Sequence, residues 1–230
     1  MPYHLTPDQA HWKNVVRDFA VHEIRPHARE MDESGHMHQA MLEKMSRMGL
    51  LTMTIPEELG GSGMDPISAA IAIEEIAWGC GSTALSVSAH NGLGCDPIVR
   101  YGTPDQKERF LTPFTTGKAF LSSLALTESG AGSDLKGGVK TRAEKIDGEW
   151  VINGEKMWCT NASLASHIVT LVRTDPSGGS RSLSLVIVPT DTPGLTIAPA
   201  EKKMGTRASP AHAVSYSDVL NSVKLMAAML

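Results

Sequence analysis

Two stretches carry most of the information in this chain: LALTESGAGSD, from Leu124 to Asp134, and NGEKMWCTN, from Asn153 to Asn161. The glycines of the first stretch have no Cβ atom, so backbone N–H groups there can converge on a phosphate as an anion-binding nest. The second stretch adds an aromatic ring and a hydroxyl, Trp158 and Thr160. An anion-binding loop together with an aromatic and hydroxyl wall favours a flavin site.

The glycine loop does not match the common phosphate motifs. A dinucleotide fingerprint of the G-x-G-x-x-G type needs glycine at position 135, where this chain has Leu135. A P-loop needs lysine after Gly137, and Gly138 stands there instead. Taken alone, the loop is more typical of an ordinary turn between strands. The second stretch reverses that balance in favour of flavin binding.

Composition indicates a globular protein. With 230 residues and a hydrophobic fraction of 41%, the chain can form one large or two small domains. Its apolar stretches are shorter than the roughly 20 residues that span a bilayer, and its N-terminus resembles neither a signal peptide nor a transit peptide. The net charge of −4 without a basic run argues against nucleic-acid binding. We expect cytoplasmic localisation, or the mitochondrial matrix in a eukaryote, without membrane insertion.

The first half of the chain has the caps and the spacing of helices. Thr6-Pro7-Asp8-Gln9 combines an N-cap, a proline at the first helical position and a capping-box glutamine, and apolar residues then recur at helical spacing to Ile24. The same capping device recurs from Thr103 to Gln106. Other helices are predicted before Gly49, after Asp65-Pro66, over Ser82–Ala89 and over Pro97–Tyr101. The chain is therefore expected to be helical up to about Gly117.

After residue 118 the pattern changes to short runs that are typical of strands. We predict strands over Ala119–Leu126, Val139–Lys145, Trp150–Ile152, Lys156–Thr160, His167–Arg173, Leu183–Pro189 and Leu195–Ala198. Asp147-Gly148 and Asn153-Gly154 are dipeptides that favour hairpin turns. The predicted class is α+β, with an N-terminal helical domain over 1–118, a small β-barrel or sandwich domain over 119–219 and a divergent tail over 220–230.

The same motifs occur together in one flavoprotein family. With A-L-T-E-x-G-A-G-S-D followed by N-G-x-K-x-W-x-T-N, the chain resembles the acyl-CoA dehydrogenases. PEELGGSG from Pro56, YGTPDQK from Tyr101 and KMGTRAS from Lys203 extend the resemblance to about Val219. It implies FAD as cofactor and α,β-desaturation of an acyl-CoA in fatty acid or amino acid catabolism, with hydride passing to flavin N5. It also implies reoxidation by an electron-transfer flavoprotein and a homotetrameric assembly.

The resemblance assigns roles to individual residues. Thr127 would lie near the pyrimidine ring, Ser133 would also approach the substrate, and Trp158 would pack on the flavin. The Thr160 hydroxyl would hydrogen-bond N5 and stabilise charge as hydride arrives. Without the motif, Trp158 is more typical of a core aromatic and Thr160 of a strand surface. The implied cofactor contacts are Leu124, Ala125, Leu126, Thr127, Glu128, Ser129, Gly130, Ala131, Gly132, Ser133, Trp158, Cys159 and Thr160.

Some features depart from the family pattern. Ser129 replaces the usual proline, and Cys159 replaces an aliphatic residue, for which we favour a buried filler over a redox-active thiol. After Val219 the match ends, so we expect the C-terminal helical bundle with its catalytic base to be absent and this chain to be inactive alone. The alternatives are a non-catalytic remnant that binds flavin or acyl-CoA, and a flavin oxidase or monooxygenase on the same scaffold.

Metal binding is not indicated by the sequence. His36-Met-His38 resembles a pair of metal ligands, but no carboxylate or cysteine follows at a recognisable ligand spacing. The three cysteines, Cys80, Cys95 and Cys159, lack C-x-x-C spacing, which argues against a zinc site and a disulfide framework. The sequence therefore predicts no metal site and reduced thiols.

Overall fold

Helices occupy the first half of the chain and a mixed sheet the second. The structure, a computed structural model, describes residues 4–177, 182–221 and 227–228. The helices are α1 (Pro7–Phe19), α2 (Ala28–Ser34), α3 (Gln39–Arg47), α4 (Pro66–Gly79), α5 (Gly81–Ser88), α6 (Asp96–Tyr101), α7 (Pro104–Thr115) and the short α8 (Leu135–Gly138). Within the described ranges, none of the helices has the length and apolarity that crossing a bilayer requires.

The predicted helix starts are confirmed. Thr6 and Gln9 form a reciprocal capping box at the start of α1, and Thr103 and Gln106 form the same box at α7. Asp65 caps α4 by accepting hydrogen bonds from two backbone N–H groups of its first turn. Helices α1, α3 and α4 pack around one apolar cluster, to which α1 contributes Val16 and Phe19, α3 contributes Met41 and Met45, and α4 contributes Ala72 and Ile76.

The strands form one sheet that is not closed within the described residues. They are β1 (Leu121–Ala125), β2 (Arg142–Ile146), β3 (Glu149–Thr160), β4 (Ala165–Arg173), β5 (Leu183–Pro189), β6 (Leu195–Ile197), β7 (Ala211–Asn221) and β8 (Ala227–Ala228). Their order is β6-β7-β3-β2-β4-β5-β8, and β1 pairs in parallel with β4 beside this path. The predicted α+β class, helices first, is confirmed, and of the two β architectures proposed the described strands do not close into a barrel.

One predicted turn is wrong. Asp147-Gly148 does form the β2–β3 hairpin turn, with φ of 51° and 92°, but Asn153-Gly154 lies inside β3, which runs unbroken over both strands predicted there. The Asn153 side chain exchanges two hydrogen bonds with Asp218 of β7. A bulge next to Gly154, where φ is 146°, keeps the strand paired. Pairing with β7, which was not predicted, therefore overrides the local turn preference.

One strand start differs from the prediction, and β7 continues beyond Val219. Leu220 and Asn221 lie in β7 opposite Val151 and Trp150 of β3, respectively, and β8 pairs with β5. The other positions predicted as divergent tail, 222–226 and 229–230, lie outside the described residues. The strand predicted from Val139 starts only at Arg142 because helix α8 and its last turn come immediately before it.

Polar contacts join the helical region to the sheet. Ser86 of α5 hydrogen-bonds Ser209 through the two hydroxyls at 2.9 Å, and its carbonyl accepts from the Asn161 amide at 2.9 Å. Asp32 of α2 accepts hydrogen bonds from the backbone and the guanidinium of Arg207. The end of β3 and the 198–210 segment are thereby held against the helices.

Candidate functional site

The two predicted stretches lie side by side in the fold. The Ser123 hydroxyl of β1 donates to the Thr160 carbonyl of β3 at 2.6 Å. Beyond the end of β1, the Met157 N–H donates to the Thr127 carbonyl at 2.8 Å. These two hydrogen bonds to β3 therefore set the position of the glycine loop, which we define as residues 126–133.

A buried ion pair supports the glycine loop from beneath. The Lys156 Nζ donates to Glu128 at 2.8 Å and to the Leu126 carbonyl at 3.0 Å. The same carboxylate accepts the backbone N–H groups of Lys140 at 2.8 Å and Thr141 at 2.9 Å. Lys156 is fully buried and Glu128 is 9% exposed. The loop is thus fastened to β3 and to the segment that leads into β2.

The charges of this pair are set by opposing effects. Burial acts to raise the pKa of the Glu128 carboxyl, but hydrogen bonds from Lys156, Thr141 and Lys140 outweigh it and hold that pKa below its usual value. Burial lowers the pKa of Lys156, and the hydrogen bond to Glu128 opposes the shift. Glu128 is therefore ionised at neutral pH, and all its donors are protein groups, which makes it unsuited to act as a base.

Trp158 is turned outward by a bulge in β3. The pairing of β3 with β7 shifts register between Lys156 and Cys159, and Trp158 has a φ of 60°. Regular alternation would put Trp158 on the same face as the buried Lys156. Instead its side chain is 54% exposed, while Cys159 is fully buried. A bulky residue in the left-handed region costs on the order of 1–3 kcal/mol, and such strain is often found at functional sites.

The loop presents unpaired donors to the same surface. In the described part of the chain, no protein acceptor pairs with the backbone N–H groups of Ser129, Gly130, Gly132 or Ser133. All four residues are exposed. A Cβ added at Gly130 or Gly132 would meet nothing within 4 Å, and neither glycine has a positive φ. The protein's own packing therefore does not require glycine at these positions, whereas close approach of an anion to the backbone does.

Three hydroxyl groups at the site are also without protein partners. Among the described residues, the side chains of Thr127, Ser133 and Thr160 form no hydrogen bond, although the backbone carbonyls of Thr127 and Thr160 are both engaged. The two threonines are half-buried and Ser133 is exposed. These hydroxyls and the exposed indole of Trp158 are groups that can hydrogen-bond to a ligand and stack on a flat ring system.

Several predicted contact residues point elsewhere. The side chains of Ala125, Ala131 and Cys159 lie in the core, so these residues can offer only their backbone to a ligand. Glu128 is occupied by the ion pair. Burial raises the pKa of the Cys159 thiol to about 12, which supports the buried filler over the redox-active thiol. Leu124 is half-buried within β1.

Sequence reasoning missed the residues that support the site. Lys156 is the lysine of the second motif, yet its pairing with Glu128 could not be predicted because 28 positions separate them. An open groove of about 230 Å³ also adjoins the loop, lined by Ser129, by β3 from Glu155 to Met157, and by β6 and β7 residues that include Thr196 and Ser215. No motif identified the β7 contribution to this groove.

Comparison with known proteins gives consistent matches. The family model for the acyl-CoA dehydrogenase N-terminal domain matches residues 6–118, and the model for the middle domain matches residues 123–219. A probable acyl-CoA dehydrogenase of Bacillus subtilis is 46% identical over 220 residues, which are 95% of this chain and 57% of that protein. The chain spans about half the length of the curated relatives it matches.

Solved structures give the same result. Butyryl-CoA dehydrogenase from Megasphaera elsdenii superposes with a TM-score of 0.89 at 32% identity, covering 100% of this chain and 60% of that one. An acyl-CoA dehydrogenase from Bacillus anthracis, complexed with FAD, superposes with a TM-score of 0.85 at 31% identity, covering 98% of this chain and 40% of that one. Both alignments extend over the helical region as well as the sheet.

Proposed function

This chain belongs to the acyl-CoA dehydrogenase family, and from that premise we propose that its glycine loop and Trp158 wall bind FAD for the α,β-desaturation of an acyl-CoA thioester. Bound FAD supplies the acceptor for the hydride that leaves the substrate. The carrying observation is the set of unpaired backbone N–H groups at Ser129, Gly130, Gly132 and Ser133, next to an outward Trp158. An anionic diphosphate joined to a flat ring satisfies both features.

The residues of this chain would bind and orient rather than carry out proton removal. The loop N–H groups would hold the diphosphate, Trp158 would stack on the ring, and the hydroxyls of Thr127 and Thr160 would orient it by hydrogen bonds. Ser133, at the open end of the loop, is the proposed contact to the acyl-CoA. Removal of the substrate α-proton needs a carboxylate other than Glu128, whose oxygens are already bonded to three donors.

The electron acceptor, the oligomeric state and the location are also part of the proposal. We also propose an electron-transfer flavoprotein as oxidant, a homotetrameric assembly and a cytoplasmic location. The nearest competing activities are a flavin oxidase and a remnant that binds flavin without turnover. These three possibilities differ in how the bound flavin is reduced and reoxidised.

The first experiment is a visible spectrum of the purified chain with added FAD, after removal of free flavin. We expect flavin to remain bound and to quench the fluorescence of Trp158. Anaerobic addition of a panel of acyl-CoAs would then bleach the flavin in a dehydrogenase, and peroxide release in air would identify an oxidase. Retained flavin without bleaching is the result expected if these residues bind FAD but supply no base, as in the non-catalytic alternative.

A matched pair of tryptophan substitutions tests the binding site itself. Trp158→Ala removes a stacking contact of about 0.5–1.5 kcal/mol, so FAD should bind up to about tenfold more weakly. Trp78→Ala is the control, because Trp78 is similarly exposed, at 44%, but lies on α4 against Arg17 and Arg25. Equal FAD affinity in both variants, or no flavin retention by the unmodified chain, would contradict the proposal.

A further inference from the structure

We propose that His27, Glu30 and His38 form a binding site for a divalent transition-metal ion of the Zn²⁺ type. One ligand atom from each residue lies within 4.8 Å of the others. The Glu30 carboxylate contacts both rings, with Oε2 3.9 Å from His27 Nδ1 and Oε1 3.4 Å from His38 Nε2. Two imidazoles and one carboxylate are a donor set that Zn²⁺ accepts, with water in the fourth position.

A modest adjustment would bring the ligand atoms to the spacing of a tetrahedral ion. With metal–ligand bonds of about 2.0–2.2 Å, neighbouring ligand atoms of a tetrahedral site lie about 3.4 Å apart. The two carboxylate distances are to different oxygens of Glu30, and one ligand atom from each residue lies within 4.8 Å of the others, so the ligand atoms must come closer by up to about 1.4 Å. The Glu30 side chain is 68% exposed, so a change of rotamer can close the gap without moving the core.

The backbone brings the three ligands together from fixed positions. His27 ends the 3-10 turn Arg25–His27 directly before α2, and Glu30 follows in the first turn of that helix. Residues three apart on a helix are neighbours on its surface. Gly35, with a φ of 73°, ends α2 in a left-handed turn, and His38 then precedes α3. The chain reversal returns His38 to the start of α2, which no sequence spacing indicates.

Neither imidazole has another polar task in the described structure. Each lies at the N-cap position of a helix, His27 of α2 and His38 of α3, yet neither side chain caps its helix. Among the described residues, the only polar side-chain contacts of the two rings are with Glu30, and the rings pack on each other with centroids 4.7 Å apart. His36, the histidine that the sequence pairs with His38, instead hydrogen-bonds the Ser34 carbonyl at 2.7 Å.

A bound ion would join α2 to α3. Because α2 also carries Asp32, which holds Arg207, the ion would stabilise the helix that contacts the sheet region. An ion that binds the folded chain and not the unfolded one raises the unfolding temperature as its concentration rises. The effect would be independent of flavin, because the glycine loop and Trp158 contribute no ligand.

The test uses the full chain without a histidine tag, first freed of metal with a chelator. Zn²⁺ binding is measured by calorimetry, and Co²⁺ is added as a spectroscopic probe of tetrahedral coordination. The variants are His27→Ala, His38→Ala and Glu30→Gln, and the matched control is His36→Ala. Circular dichroism of each variant without metal verifies that the fold is retained.

We expect one Zn²⁺ per chain and at least a tenfold loss of Zn²⁺ affinity in each ligand variant. Even the substitution of a residue that hydrogen-bonds to a metal ligand lowers metal affinity about 10–100-fold. His36→Ala should bind Zn²⁺ as tightly as the unmodified chain. Zn²⁺ should raise the unfolding temperature of the unmodified chain and of His36→Ala, but not that of the three ligand variants. The proposal is overturned if the unmodified chain shows no saturable binding, or if the folded ligand variants bind Zn²⁺ as tightly as the control.

Discussion

Replacing Lys156 by methionine should destabilise the protein strongly, because the side chain satisfies two buried acceptors at once. Its Nζ lies 2.8 Å from a Glu128 oxygen and 3.0 Å from the Leu126 carbonyl oxygen. Methionine fills a similar volume but donates no hydrogen bond. Glu128, at 9% exposure, would keep only the backbone donors of Lys140 and Thr141.

Breaking one partner of a buried ion pair costs about 3–5 kcal/mol, since the remaining charge is left uncompensated. The expected loss in the free energy of unfolding for Lys156→Met is therefore about 3–5 kcal/mol. Adding Glu128→Gln removes the stranded charge while an amide oxygen can still accept a backbone N–H. The double variant should thus be less destabilised than the sum of the single variants, by on the order of 1–3 kcal/mol.

Urea unfolding followed by circular dichroism, with linear extrapolation, measures these differences. Lys140→Met is the matched control: its side chain is exposed, and its backbone N–H still donates to Glu128. We expect the control to lie within about 0.5 kcal/mol of the unmodified protein. A loss below about 1 kcal/mol for Lys156→Met, or strict additivity in the cycle, would refute the role of this pair.

Three other predictions concern the same region and its supports. Gly154→Ala should lower the free energy of unfolding, measured with urea, by about 2 kcal/mol or more, because φ there is 146° and a Cβ would lie 2.6 Å from the Thr141 Cα. Gly130→Ala should leave the free energy of unfolding unchanged, because a Cβ there would lie in open space. Cys159 should resist a thiol reagent until the protein is unfolded, since burial raises its pKa to about 12; rapid reaction in the native state would contradict its placement. Burial lowers the pKa of His90 from 6.5 to about 4, so the unfolded chain binds more protons between these values, and His90 alone should lower the free energy of unfolding by about 3 kcal/mol as pH drops from 6.5 to 4. His90→Gln should reduce that slope in urea unfolding at several pH values, and the slope that remains includes His167, whose pKa burial lowers to about 3.

The fold could be predicted where local signals act alone. Capping boxes at Thr6 and Thr103 and the Asp65 cap fix helix starts through contacts within four residues, so the sequence suffices. The turn predicted at Asn153-Gly154 does not form, because β7, which is distant in sequence, supplies the hydrogen-bond partners of this segment. β7 itself was missed, although it alternates buried Val214 and Tyr216 with less buried neighbours.

The site could be predicted in part for a similar reason. The glycine loop and Trp158 were recognised through family motifs, which encode residue types and order. Nothing in a sequence shows that a bulge turns Trp158 outward while Cys159 points inward, since strand alternation implies the opposite for Trp158. The Lys156–Glu128 pair and the His27–Glu30–His38 cluster depend on contacts between separate elements. Such contacts are determined by tertiary packing, which motifs and local patterns do not show.

The glycine loop and the end of β3 are also where the described chain departs most clearly from what stability favours. A buried ion pair is weak evidence for stability, because desolvation offsets much of its attraction. An exposed tryptophan with a φ of 60° adds strain, and a run of loop N–H groups without protein acceptors gains nothing for the free protein. All three occur within the loop and the end of β3, which hydrogen bonds hold together. A bound anion with a flat ring would compensate the last two, and the ion pair would fix the loop in the shape that receives it, so the proposed ligand would give one reason for all three departures.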